Sequence, residues 1–569
     1  MQNSSRDRWC VQNNAVARNA IAGDKNLMIN RRRRMKILKQ QANAGWRAAF
    51  CQSTRLNPGL ADIPAKILSP FAVPLGPRLL FLILSVGRAA ARFLTSPVKF
   101  NRGHPVRIFL LRRPMSRITC SDHLAQAETR PNQGTKMSLQ RTRIVIVGGG
   151  FGGSTLTRQL QKRAKFADIT LVSEESYMTF NPMLAEVVGA TVFPEHVVAP
   201  LRETVRRARF VMGTVSNVDF GNKRLNCDTL KGDVELEYDH LVLAFGNRAR
   251  VDLIPGMAEH AVVLKTVGDA MHIRNLVLRR LAQIELETDP QLRLCLGHFV
   301  IVGGGFSGVE VAGAIADSLR EIRHFYPRVG ADEVKVTLLQ NNNRLLPELP
   351  ALLGQAAKRS LMKRNVEVLT MTGASKVSAR SIELASGAML STATTICTIG
   401  TVPNALTMRF NAIATERGRI VCSADLSVSG VEGVWAIGDC ALITNGEDGP
   451  APPTAQFAVA EAKHLAKNLV IRCTSGATAP FAYRSRGMMA TVGHLKGVAK
   501  IFGVRLSGLP AWMLWRAYYL SQMPTFGRKV RIFVEWTWGI FFPPDITHFR
   551  FTRSHELLQS DQAGLMPRP

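Results

Sequence analysis

Short unbroken runs of apolar residues recur between Arg141 and Leu442, each closed by glycine or a polar turn. Ile144–Val147 and Phe299–Val302 are two such runs. A strand covered on both faces reads as a continuous Val/Ile/Leu segment rather than an alternating one, so both predict buried parallel strands. Each run enters a glycine-rich turn: IVIVGGGFGG with Gly148, Gly150, Phe151, Gly152 and Gly153, and FVIVGGGFSG with Gly303, Gly305 and Gly308. Helical periodicity follows both turns, the first helix running to about Lys165. Asp168–Val172, Tyr238–Gly246, Val334–Leu339 and Val434–Asp439 supply further strands. The pattern predicts an α/β chain with two Rossmann-like dinucleotide-binding units, the second inserted in the first.

Strand–GxGxxG–helix has a mechanical meaning. The first glycine permits the tight turn and the second lets the backbone approach a pyrophosphate. The third lets the helix pack on the strand, so that the helix N-terminus meets the anion. One such motif is weak evidence; two in matching context point to a chain that moves electrons between two dinucleotides. Glu174 lies 21 residues beyond Gly153, where an acid typically accepts hydrogen bonds from an adenosine ribose, and Glu175 stands beside it. In the second unit Gln340 ends the corresponding strand. An amide can bond the ribose diol but carries no charge to repel a 2′-phosphate, so tolerance of NADPH beside NADH is expected.

Composition changes this picture at one end only. The net charge is +31, but residues 1–136 hold 24 Lys and Arg against 5 Asp and Glu, leaving +12 for the other 433. That segment carries Arg31–Arg34, scattered prolines and no sustained periodicity. Its most apolar piece, Leu79–Val86, is far shorter than the roughly 20 residues that span a bilayer. The segment is expected to be a basic arm, an Arg-rich targeting segment, or sequence upstream of a start at Met137, the last being favoured. The nine cysteines show no CxxC and no zinc-type spacing, which speaks against a metal site, a disulfide framework and a paired redox dithiol. Cys440, next to Asp439, is read as structural.

Leu506–Met523 and Lys529–Phe542 predict two helices, the first capped by Ser507 or Gly508 with Pro510 in its first turn. They hold four of the seven tryptophans, Trp512, Trp515, Trp536 and Trp538, interleaved with Lys and Arg. Aromatic and basic side chains mixed on helices too short to span suit the interface of a bilayer.

GGGFGG, GGGFSGVEVAG, TIGTVPN, VWAIGDCA and PPTAQFAVAEAKHLAKNL occur in the order found in type II NADH:quinone oxidoreductases, the single-subunit, non-proton-pumping NADH dehydrogenases, and the chain resembles that family over about residues 141–550. The resemblance implies FAD on the first unit, with Gly438 and Asp439 at the flavin. It implies NADH on the second unit, with Gly400 at its end, and a membrane quinone as acceptor. It also implies that Glu310 helps couple hydride transfer to quinone reduction, and that Ala455 and Gln456 open the quinone motif. That motif's second glutamine is Ala460 here, followed by Glu461.

The expected domains are 1–136, a basic extension; 137–297 and 406–490, the two parts of the FAD unit; 298–405, the NAD(P)H unit; and 491–569, the membrane-interface region. A peripheral protein on the cytoplasmic face of the inner membrane follows, with homodimer formation left open. The rival readings are a sulfide:quinone or ferredoxin-type flavoprotein reductase and a redox-regulated, nucleic-acid-binding flavoprotein. Nucleic acid is disfavoured as a partner because the charge excess sits in the N-terminal segment.

Overall fold

The structure, a computed structural model, describes residues 141–410 and 412–549; the expected N-terminal extension 1–136 lies outside the described residues. Strand β1 (Thr142–Val147) leads through the first glycine turn into helix α1 (Phe151–Arg163) and strand β2 (Ala167–Ser173). A short helix α2 (Leu184–Val188) precedes a meander of β3 (Arg209–Asp219), β4 (Arg224–Thr229) and β5 (Gly232–Glu237), after which β6 (His240–Leu243) returns beside β1. β1 pairs in parallel with both β2 and β6. Its residues Ile144–Val147 are all buried, as continuous apolar strands between helix layers must be.

Strand β7 (Ala261–Val263) starts the second unit and helix α3 (Val267–Leu286) follows, capped by Thr266 and Asp269 in a reciprocal capping box. Then come β8 (His298–Val302), α4 (Phe306–Ile322), β9 (Lys335–Gln340), α5 (Ala351–Met362), β10 (Val366–Thr370) and β11 (Thr394–Cys397). The second sheet is all parallel in the order β7-β11-β8-β9-β10. Strand β12 (Val434–Ala436) then pairs with β6, completing a first sheet ordered β12-β6-β1-β2-β3-β4-β5. The chain thus leaves the first sheet, builds the second and comes back.

Helix α6 (Ala455–Cys473) packs across α1, where Gly152 sits 3.3–3.8 Å, by a hypothetical Cβ, from Ile437 and the Ala458 carbonyl. A three-stranded antiparallel sheet follows, β13 (Gly487–Thr491), β14 (Gly497–Ile501) and β15 (Val504–Gly508). Helices α7 (Leu509–Gln522) and α8 (Phe526–Trp538) close the described chain. Residues 506–508 are therefore strand rather than helix, and Gly508 is the N-cap of α7, with Pro510 in its first turn. Among the described residues no helix is long and apolar enough to cross a membrane.

The tryptophans depart from the interface reading. Trp512, Trp515 and Trp536 are buried, and only Trp538, at 61% exposure, faces outward. The reason is Arg516, whose guanidinium lies 3.8 Å from the Trp512 ring centroid and 4.7 Å from that of Trp536. A buried cation flanked by aromatic faces draws those rings inward. What remains outside on α8 is a different apolar face: Phe526, Val530, Phe533, Val534 and Trp538.

Candidate functional site: two glycine cradles and a cavity lined by Glu310

The two glycine turns are built alike. Gly148 and Gly303 hold φ of +111° and +117°, a region that disfavours any side chain. A Cβ on Gly153 would stand 1.9 Å from the Gly148 carbonyl oxygen, and one on Gly308 would stand 1.8 Å from that of Gly303. These third glycines let each helix press on its own turn. A Cβ on Gly150 or Gly305 would meet nothing within 4 Å. The second glycine of each turn therefore borders open space at the N-terminus of a helix, which is the form of a pyrophosphate cradle.

The strand register relates the two ribose candidates to each other. Val147 pairs with Val172 and Val302 with Leu339, so Ser173 and Gln340 occupy equivalent places and Glu174 matches Asn341. Glu174 is exposed, whereas Gln340 is buried. The Gln340 amide serves the turn itself: its Oε1 accepts from the Gly304 N–H at 3.1 Å and its Nε2 donates to the Arg344 carbonyl at 3.1 Å. Neither strand end carries a carboxylate.

At the return of the chain to the first sheet, Gly438 takes φ +74° and its N–H donates to Glu461 Oε2 at 2.7 Å. Asp439 follows, largely enclosed, and makes no side-chain hydrogen bond among the described residues. Burial raises its carboxyl pKa, against the opposing pull of Lys265 and Arg419. Lys265 is held by the Asn247 side chain, and burial lowers its pKa. Burial likewise pushes Glu461 up to about 7. An enclosed carboxylate whose side chain makes no hydrogen bond among the described residues, beside a glycine cradle and the N-terminus of α6, suits the polar chain of a flavin dinucleotide. The residues present therefore fit FAD on the first unit and a nicotinamide dinucleotide on the second. Gly400, with φ +65°, lies beyond the end of β11, near Arg250.

Glu310 sits in the first turns of α4 and is only 9% exposed. Its Oε1 accepts from the Thr491 N–H at 3.1 Å. Burial pushes its pKa up to about 8, with the Glu186 charge adding to the rise and the Thr491 bond opposing it. Glu310 lines a cavity of about 360 Å³ between α2, α4 and the C-terminal helices. Glu186, His494, Arg516 and Glu535 share its walls. Glu186 accepts from Thr191 Oγ1 at 2.6 Å and pairs with Arg516 at 3.9 Å. Burial lowers the Arg516 pKa to about 10. Tyr519 adjoins Glu310 electrostatically and joins a chain of rings with Trp515, Phe180 and Phe151.

Gln456 lies elsewhere. It is in the first turn of α6, its Oε1 accepts from Ser485 Oγ at 3.0 Å, and neither it nor Ala455 is among the residues lining the cavity. Glu186, Thr491, Arg516 and Lys265 carry no signal in the linear pattern; contacts between residues far apart in sequence create their roles. Cys440 is fully buried, and that burial raises its thiol to about 12. The six cysteines in the described residues are free thiols, five of them buried.

Comparison with known proteins agrees with this geometry. The family model described as Pyridine nucleotide-disulphide oxidoreductase matches residues 142–462, more than half of the chain. A type II NADH:quinone oxidoreductase of Mycobacterium tuberculosis is 29% identical over 445 residues, covering 74% of this chain and 91% of the relative. An internal alternative NAD(P)H-ubiquinone oxidoreductase A1, mitochondrial, of Solanum tuberosum is 29% identical over 444 residues, covering 72% and 88%. The structure of NDH2 from Plasmodium falciparum in complex with NADH superposes with a TM-score of 0.67 at 21% identity. It covers 72% of this chain and all of that one, a likeness of fold.

Proposed function

The chain belongs to the pyridine nucleotide-disulphide oxidoreductase family, and from that premise we infer that it is an FAD-dependent NADH:quinone oxidoreductase of type II. The observation that carries this reading is the pair of like-built cradles whose second glycines face open space, joined to the relatives named above. Bound flavin supplies the capacity to accept a hydride and release two electrons. The chain's own part is positional and electrostatic. Gly150 and the N-terminus of α1 would hold the flavin pyrophosphate, with Asp439 placed for its polar chain. Gly305 and the N-terminus of α4 would hold that of NADH. With a pKa of about 8, Glu310 keeps a proton on its carboxyl at neutral pH, next to a cavity with room for a ring-sized acceptor. Gln456 is assigned a supporting place at the N-terminus of α6. NADPH is expected to be used as well, since Gln340 carries no repelling charge.

The exposed face of α8 supports peripheral attachment to a bilayer, where a quinone resides. Phe526, Phe533 and Trp538 are 51–69% exposed, and Lys529 and Arg531 flank them. Large apolar groups beside cations favour an anionic leaflet, consistent with the cytoplasmic face. The double variant Val530→Asp/Phe533→Asp should lower partition into phosphatidylglycerol vesicles by at least about a hundredfold, since each buried side chain is worth roughly 1.5–3 kcal/mol. Reduction of a water-soluble acceptor by NADH should be unaffected. Equal sedimentation of the variant and the natural protein with vesicles would remove α8 as the attachment face.

The experiment for the reaction itself is anaerobic. NADH should bleach the flavin absorbance rapidly, and a short-chain quinone should then restore it. Bleaching without recovery would keep the two cradles and strike out the quinone.

A further inference from the structure

We propose that His196 and Glu535 form the proton inlet that recharges Glu310 across the cavity during quinone reduction. The proposal rests on the quinone reading above. The balanced reaction, NADH + H⁺ + quinone → NAD⁺ + quinol, draws one proton from solvent in every turnover. The proton leaves the Glu310 carboxyl for a quinone oxygen, and a group only 9% exposed must then be supplied from elsewhere.

The cavity supplies the connection. Glu310 on α4 and Glu535 on α8 both line it, and its volume of about 360 Å³, equal to roughly twelve waters at about 30 Å³ each, leaves space for water beside a ring-sized acceptor. Glu535 Oε1 accepts from the Phe193 N–H at 3.3 Å and lies 2.8 Å from His196 Nδ1. Its Oε2 is buried and has no hydrogen-bond partner among the described residues. The two side chains are 13% and 14% exposed, so the pair stands between solvent and the cavity wall. A proton taken up by the imidazole passes to the Glu535 carboxylate, then through cavity water to Glu310.

The other ionisable groups facing this route are engaged. Glu186 pairs with Arg516, Asp317 with Arg364, Glu321 with Arg320, and Arg274 with Asp545. Burial lowers the His494 pKa, leaving that ring neutral. The Glu195 charge adds to the rise that burial imposes on Glu535, while His196 opposes it. Glu186 and Tyr519 are the ionisable neighbours of Glu310. A carboxyl raised in this way, bonded to an imidazole, changes protonation state readily.

The alternative is an ion pair that only ties α8 to the 193–196 turn, and Glu535→Gln separates the two. Glutamine keeps a hydrogen-bonding oxygen for His196 and the Phe193 N–H but cannot carry a proton. With the flavin-loaded full chain, turnover of NADH with ferricyanide, which takes electrons without protons, should remain within about twofold. Turnover with quinone should fall at least about tenfold at pH 8, in the range of lost acid–base assistance. His196→Ala should behave likewise and recover with added imidazole. An infrared carboxyl band that changes with redox state should vanish in Glu535→Gln.

Quinone turnover of Glu535→Gln equal to that of the natural protein across pH 6–9 would overturn the inlet. So would a parallel loss of both reactions, the mark of a tie between α8 and the turn. A natural chain that reduces ferricyanide but no quinone would instead overturn the quinone reading and, with it, the need for the inlet.

Discussion

Gly305→Ala should give a protein that folds and holds flavin as before, yet needs at least about tenfold more NADH for half-maximal flavin reduction. The Cβ it adds points into space where, apart from its chain neighbours, no atom of the described residues lies within 4 Å, and the glycine's φ of −76° suits alanine. Stability is therefore unaffected, and the methyl group is felt only by a ligand lying against the turn. Gly308→Ala is the contrasting case. Its Cβ would stand 1.8 Å from the Gly303 carbonyl oxygen and 2.8 Å from Thr398 Oγ1, so the start of α4 must shift. Overpacking of this kind costs about 1–3 kcal/mol or more, and the same shift moves the cradle. The expected result is a lowered melting temperature together with NADH-driven bleaching slowed about a hundredfold, while flavin content persists. Unchanged NADH dependence in Gly305→Ala would mean that the second cradle does not hold the nicotinamide dinucleotide.

The cradles were legible because every determinant lies within a dozen consecutive residues: an apolar run, three spaced glycines and a helical period. The same holds for VWAIGDCA, whose strand and Gly-Asp corner are local. Positions counted over longer stretches are not fixed by so local a pattern. Glu174 and Gln340 were reached by counting from the glycines or from a strand end, yet the hydrogen-bonded register places them one residue out of step. Helix and loop lengths between two strands vary, and only pairing fixes which residue ends a strand beside the turn.

The cavity was not legible at all. Thr491 lies 181 residues from Glu310 and Glu535 lies 339 from His196, and no periodicity encodes such meetings. The tryptophans misled for a related reason. Trp and Arg mixed on a short helix describe a membrane interface and a buried cation–π cluster equally well, and only the partner of Arg516, Glu186 on a distant helix, decides between them.

Glu310→Gln should slow quinone turnover by about a hundredfold, the usual scale for loss of a positioned acid, and should flatten the fall of stability with rising pH in the same protein. The sign follows from the raised pKa. A free glutamate titrates near 4.5, whereas the folded chain keeps its proton up to about pH 8. Between these values the folded state holds a proton that the unfolded state has released. The stability contributed by protonated Glu310 is therefore fully present below about pH 4.5 and is lost as pH rises through about 8. Burial, the largest cause of the shift, is a cost of the charged form, so glutamine escapes it at every pH. The difference in stability should thus move in favour of the variant between pH 5 and pH 9, by several kcal/mol at most, since each pKa unit is worth about 1.4 kcal/mol. Glu461, raised to about 7 by the same cause, adds a slope of the same sign that remains in the variant. Melting temperatures of the flavin-saturated proteins across this range would measure the difference directly. Parallel curves for the two proteins would show that Glu310 is ionised in the folded state, and would remove it as the group that holds a proton for the quinone.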